Sequence, residues 1–199
     1  MSRLVIETIQ LNNGSIQLAD YHQHRMNKTV FDVWGIVNQF SIAHISVPDY
    51  ARRGLWKCRV LYGPQVIDIT FSSYTYKHIS SLQCVYNDDI SYPYKFADRQ
   101  VFVGLLSKKS HADEIIIIKH GSVTDTSFSN LVLYDGTHWY TPSTYLLPGT
   151  MRQYLLDTNC IHEIQIGVSD MWSFEKVRLL NAFHDLAHGN DIFSDKIYK

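Results

Sequence analysis

Cysteine is scarce: Cys58, Cys84 and Cys160 are the only three in 199 residues. They stand far apart, odd in number and without a CxxC pair, so neither a disulfide framework nor a zinc site built mainly on thiolates is expected, and a reducing compartment fits better. An excess of either charge is missing too. Lys and Arg total 18 against 19 Asp and Glu, a net charge of -1, which gives no bulk attraction to nucleic acid or to an anionic membrane. Any anion must therefore be held by a local site. Long apolar runs are also absent: the longest aliphatic one, Ile115-Ile116-Ile117-Ile118, falls far short of the roughly 20 residues of a membrane-spanning helix. Glu7 interrupts the N-terminal apolar run too early for a secretory signal peptide, so a cytoplasmic protein is expected. There is no Gly-rich nucleotide loop, no GxSxG elbow, no internal repeat and no low-complexity tract.

What is present is globular in kind, with 45% apolar and 19% charged residues. The length suits one large domain or two small ones. Two apolar runs, Leu4-Val5-Ile6 and Ile9-Gln10-Leu11, lead to Asn13-Gly14, after which Ser15-Ile16-Gln17-Leu18 resumes the β pattern; Asn-Gly between such runs predicts a hairpin. Asp20, with Gln23 three residues on, resembles the start of a helix. Met26, Val30, Val33, Trp34 and Val37 then recur at helical spacing up to Gly35 or a turn beyond. Strands are predicted over 56–62, 66–71, 81–86, 114–119, 164–168 and 177–180, a second hairpin around Asp135-Gly136-Thr137-His138, and helices over 96–106 and 150–156. Strands outnumber helices without a regular alternation, which argues for an α+β fold. The polar, aromatic stretch 72–78 marks the expected junction between a small domain, 1–76, and a larger one, 77–199. Each half is small enough to lean on the other or on a second subunit.

Several short constellations could carry chemistry. Lys95 lies between Tyr94 and Phe96, where partial desolvation would disfavour its charged form and suit it to imine formation; it could equally be a surface lysine at a helix start. Leu147-Pro148-Gly149-Thr150-Met151-Arg152 opens a helical run, whose first-turn N–H groups either hold an anion or simply begin a helix. His22-Gln23-His24-Arg25 puts an arginine on the first helix, as a phosphate grip or as a solvated face. Asp125 is either a buried carboxylate or a turn residue. His184 and His188 are spaced by one helical turn, but no third ligand stands at a characteristic distance and no metal site is expected.

The order of these pieces is more specific than any one of them. His22-x-x-Arg25 is followed by Lys95-x-x-x-Arg99, then by Val123-Thr124-Asp125 with Asn130 ahead of a strand, then Thr141-Pro142, then Leu147-Pro148-Gly149-x-x-Arg152. The series resembles the class IV aminotransferase family of pyridoxal-phosphate enzymes, which includes branched-chain and D-amino-acid aminotransferases and aminodeoxychorismate lyase. It runs from Ile6-Glu7-Thr8, similar to the family's Phe-Glu-Thr strand, to Leu180-Asn181-Ala182, and Ser122 to Asn130 with Thr141-Pro142 and Leu147-Pro148-Gly149 is its most specific part.

The resemblance implies a two-domain fold like that of D-amino-acid aminotransferase (fold type IV), with a small α/β N-terminal domain and a larger β-barrel-like C-terminal domain. It implies pyridoxal 5′-phosphate held covalently by Lys95, which then serves as general base. Arg25 would bind the phosphate, the N–H groups of Thr150 and Met151 would cap it, and Asn181 and Ala182 would lie close by. Ala182 has no hydroxyl where several relatives carry Thr or Ser. Asp125 stands where the family has a glutamate paired with the pyridine nitrogen, one methylene shorter, so contact is direct with a closer ring or runs through water. Arg59 and Thr8 are the implied substrate-side residues. The chain begins almost on the Phe-Glu-Thr-like strand, without the further strand and Gly-Asp-Gly stretch usual ahead of it, and the segment between Arg59 and Lys95 is short; a substrate side trimmed more than the cofactor side is expected. The implied activity is that of 4-amino-4-deoxychorismate lyase, which releases pyruvate to leave p-aminobenzoate for folate synthesis. An aminotransferase for branched-chain or D-amino acids, and a member that binds without turnover, are the alternatives. The implied partners are a small amino substrate and a second copy of the chain.

Overall fold

A computed structural model describes residues 4–199. The chain divides into two compact units, one formed by residues through Tyr76 together with Tyr94–Asp98, the other by Lys77–Pro93 and Arg99–Lys199. The expected boundary placed Lys95 in the second domain. Its segment belongs to the first unit instead, because it pairs with that unit's opening strand: Ile6 N–H donates to the Lys95 carbonyl at 2.8 Å, Ala97 N–H to that of Leu4 at 2.9 Å, and Val5 bridges Phe96.

In the first unit, β1 (Val5–Asn12) turns through Asn13-Gly14 into β2 (Ser15–Ile16), and α1 (Ala19–Trp34) follows. Asn13 and Gly14 both take positive φ, 49° and 80°, as a two-residue hairpin turn demands. Next come β3 (Leu55–Tyr62) and β4 (Val66–Ser73), completing an antiparallel sheet of order β2-β1-β3-β4. Alternation puts Val5, Ile9 and Leu11 of β1 and Cys58, Val60 and Tyr62 of β3 into one core with Met26 and Val30 of α1. The helix ends at Gly35, whose φ of 68° closes it with an N–H bond to Phe31. Its start differs from expectation. The N-cap is Leu18, in the left-handed region, rather than Asp20, and Gln23 spends its amide on Asn27 and the Phe40 carbonyl.

The second unit holds two sheets. One, of order β13-β5-β6-β7, is built from β5 (Leu82–Tyr86), β6 (Glu114–Lys119), β7 (Ser122–Val123) and β13 (Ile197–Tyr198). The β5–β6 and β13–β5 pairs are parallel. Ile115 to Ile118 are all sealed from solvent, as a parallel strand covered on both faces requires. The connection from β5 to β6 contains α2 (Gln100–Leu106), shorter at its start than predicted because Phe96 and Ala97 bond to the first strand instead. The other sheet, of order β10-β9-β8-β11-β12, comprises β8 (Asn130–Tyr134), β9 (Trp139–Pro142), β10 (His162–Ile164), β11 (Lys176–Leu180) and β12 (Ile192–Phe193). The strand predicted at 164–168 is thus earlier and shorter, its position set by parallel pairing with β9. Between β9 and β10 lies α3 (Thr150–Asp157). Side chains of both sheets, among them Ile116, Ile118, Leu131, Leu133, Val177 and Leu179, form one core. Among the described residues no helix is long and apolar enough to cross a membrane.

Candidate active site

The sequence-predicted residues gather into two groups, one in each unit. In the first unit, Lys95 is half-buried between Tyr94 and Phe96, whose rings meet edge to face at 5.9 Å. It sits in a tight turn, closed by the Phe96 N–H on the Tyr94 carbonyl at 2.8 Å and ahead of α2, so it is not a lysine at a helix start. Its carbonyl accepts from Ile6 of β1, the residue before Glu7, a carboxylate on the core-facing row between Val5 and Ile9. Glu7 is fully buried and holds two residues of α1. Arg25 donates Nε to Oε1 at 2.9 Å and Nη2 to Oε2 at 2.5 Å, while His22 Nδ1 lies 2.6 Å from Oε2. A helix carries residues three apart on one face, which is why His22 and Arg25 reach the same acid.

Burial alone would raise the Glu7 pKa. The Arg25 charge and the hydrogen bonds from His22 and Arg25 outweigh it and hold the carboxyl at about 2. His22 is pushed the other way: burial lowers its pKa against the pull of Glu7, and the charges of Arg25 and Lys95 lower it further. A neutral His22 beside an ionised Glu7 carries its proton on Nδ1, which leaves Nε2 as an acceptor. That Nε2 is buried and has no hydrogen-bond partner among the described residues. Glu7, His22 and Arg25 therefore form one hydrogen-bonded cluster, and the charge of Lys95 acts on its His22. Thr8 and Arg59 are direct cross-strand partners on β1 and β3, both half-buried, on the sheet face opposite Glu7.

In the second unit, Asp125 is buried and its carboxylate is divided among three donors. Asn130 Nδ2 reaches Oδ1 at 2.8 Å, and the N–H groups of Leu146 and Leu147 both reach Oδ2 at 2.9 Å. Burial pushes its pKa up to about 6, against these hydrogen bonds and the charge of Arg152. Asn130 also donates to the Leu147 carbonyl at 2.9 Å, and a Cβ at Gly149 would collide with its Oδ1. Glycine is thus required where the loop enters α3. Gly149 is the helix N-cap and supplies no side-chain cap to the first-turn N–H groups of buried Thr150 and Met151. Arg152 anchors the same turn, donating to Thr141 Oγ1 at 3.2 Å, to the Pro142 carbonyl at 3.1 Å and to Glu163.

Leu180 pairs with Asn130, so Asn181 and Ala182 leave β11 at the sheet edge where Asn130 enters β8. Asn181 Oδ1 closes the turn there by accepting from Phe183 and His184 N–H at 2.8 and 3.2 Å. His184 lies in that turn, not on a helix with His188.

Sequence reasoning missed three participants. Glu7 was read only as part of a strand motif, His22 as the first letter of His-x-x-Arg, and Asn130 as a spacing mark. An acid in the buried phase of the alternating β1 pattern, with a His and an Arg three apart on the next helix, is the signal that could have found the first two.

Comparison with known proteins decides the family. A sequence model of the family described as amino-transferase class IV matches residues 65–189. The chain belongs to this family. Among its relatives is an uncharacterised Haemophilus influenzae protein, 36% identical over 187 residues, covering 92% of this chain and 98% of the relative. The crystal structure of a "putative 4-amino-4-deoxychorismate lyase" from Haemophilus somnus superposes with a TM-score of 0.87 at 33% identity, covering 94% of this chain and 99% of the other. The pyridoxal-phosphate-bound form of a hypothetical aminotransferase from Mycobacterium tuberculosis shares the fold, with a TM-score of 0.76 at 15% identity and 96% and 80% coverage. This class IV protein therefore has the fold of the type IV aminotransferases, a family whose members use pyridoxal phosphate.

Proposed function

We propose that this protein is a pyridoxal-phosphate enzyme that converts 4-amino-4-deoxychorismate into p-aminobenzoate and pyruvate. The observation that carries the reading is the position of Lys95, tied by its carbonyl to β1, the strand whose Glu7 holds His22 and Arg25. The choice of a lyase is supported by the likeness to the Haemophilus somnus structure over nearly the full length of both chains.

The residues present suit the cofactor. Lys95 supplies a primary amine suited to its aldehyde and Arg25 a guanidinium suited to its phosphate, and beside Arg25 the buried His22 Nε2 has no hydrogen-bond partner among the described residues. When bound, pyridoxal phosphate supplies an electron sink for charge developing at the substrate carbon that bears the amine. Lys95 would hold it covalently and afterwards, as a free amine, carry the proton to and from that carbon. Arg25 would bind the phosphate from the first unit, and in the second unit the N–H groups of Thr150 and Met151, with Asn181 and Ala182, are the candidate phosphate donors. Glu7 fixes the guanidinium plane from behind. Thr8 and Arg59 would take the substrate carboxylate. Aromatisation of the substrate ring drives the release of pyruvate, so the demand on the protein is a base and a carboxylate grip. A homodimer in the cytoplasm, acting in folate synthesis, belongs to the same reading.

The test is a coupled assay on protein loaded with pyridoxal phosphate. Formation of p-aminobenzoate from aminodeoxychorismate supports the lyase. Loss of a branched-chain or D-amino acid that depends on 2-oxoglutarate would make it an aminotransferase instead. Cofactor uptake with neither reaction would leave a binding protein, and no uptake would overturn the reading altogether.

A further inference from the structure

We infer that Asp125 and Asn130 are positioning residues for the phosphate of the cofactor, acting through the loop Leu146–Gly149 on the first turn of α3. The inference rests on the cofactor reading above and gives Asp125 a different task from the contact with the pyridine nitrogen that its place in the motif implies.

The geometry is one-sided. Among the described residues every hydrogen bond of the Asp125 carboxylate runs to the loop or to Asn130: two loop N–H groups on Oδ2, one amide hydrogen on Oδ1. Asn130 repeats the connection, holding the Leu147 carbonyl with Nδ2 while its Oδ1 packs where a Gly149 side chain would be. The loop is thus pinned at Leu146, Leu147 and Gly149, the residues immediately before Thr150. Displacing any of these pins moves the Thr150 and Met151 N–H groups, and an anion held by backbone donors is sensitive to their direction. An aspartate is short enough to meet two successive backbone N–H groups at 2.9 Å while also taking the Asn130 amide.

Two aldehydes separate the roles. Pyridoxal phosphate and pyridoxal share the ring and the aldehyde, but only the first carries a phosphate. Uptake of each by Lys95 is followed by absorbance and borohydride trapping in the wild type and in Asn130→Ala, Asp125→Asn and Gly149→Ala, with hydrogen exchange at Leu146, Leu147 and Thr150 measured in the aldehyde-free proteins. The expected result is about tenfold weaker uptake of pyridoxal phosphate in all three, uptake of pyridoxal within about twofold of wild type, and faster exchange at the loop amides. Gly149→Ala disturbs the pin from the loop side without touching the buried acid, so it answers even if a core variant fails to fold. Equal losses with both aldehydes in Asp125→Asn would show a ring contact and overturn the inference, as would unchanged uptake of pyridoxal phosphate in Gly149→Ala. A wild type that traps pyridoxal but gains nothing from the phosphate overturns it as well, and a wild type that takes up neither aldehyde overturns the cofactor reading together with it.

Discussion

Glu7 grips Arg25 through both carboxylate oxygens, Nε to Oε1 at 2.9 Å and Nη2 to Oε2 at 2.5 Å, in a pair whose acid is fully buried. Two parallel bonds fix the guanidinium plane as one bond would not. The arrangement also explains why an acid is tolerated in the core row of β1: its charge is answered from α1 by Arg25 and by a hydrogen bond from His22.

Removing one member of a buried pair leaves the other uncompensated. Glu7→Gln should therefore destabilise the protein by on the order of 3–5 kcal/mol, read from urea denaturation at neutral pH. A loss below about 1 kcal/mol would mean that the pair adds little to the fold.

Glu7 and Asp125 are both buried acids, yet their titrations move apart because Glu7 faces a cation and Asp125 faces mainly neutral N–H donors. The Glu7 carboxyl at about 2 lies below its ordinary 4.5, so its stabilisation is full above about pH 4.5 and is lost as the pH falls towards 2. Asp125 at about 6 lies above its ordinary 3.8, so the folded protein binds the proton more tightly and stability from this group declines as the pH rises from about 4 to 6. Each contribution amounts to about 3 kcal/mol. Denaturation midpoints measured from pH 2 to 8 should show both slopes, with the decline between 4 and 6 missing in Asp125→Asn. A decline that persists in that variant would assign it to another group.

Arg152 makes three directed contacts from a buried position. Lysine keeps the charge but cannot reproduce the planar fork. Arg152→Lys is expected to cost about 2 kcal/mol and to lower the thermal midpoint by several degrees. A midpoint equal to wild type would show that charge alone suffices there.

The pieces legible in the sequence are those governed by local rules. Asn13-Gly14 marks its turn, Gly35 ends α1, and Ile115 to Ile118 announce a covered strand, because positive φ and hydrophobic periodicity depend on neighbours in the chain. Lys95, Arg25 and the Leu147-Pro148-Gly149 turn are singled out in the sequence by their order along the chain. What was not legible depends on long-range pairing. Residues 96–98 read as the start of a helix by composition, but the backbone there is taken by β1, about ninety residues earlier. The partners of the two acids are hidden for the same reason: nothing local tells that Glu7 meets α1, or that Asp125 is bound by N–H groups 21 and 22 residues away.

The most direct test of the account is to incubate the purified protein with pyridoxal phosphate, reduce it with borohydride and map the product by peptide mass spectrometry. The account predicts a yellow protein whose visible absorbance disappears on reduction, a single pyridoxyl adduct on Lys95, and no adduct in Lys95→Ala. An adduct on another lysine, or none at all, would contradict it.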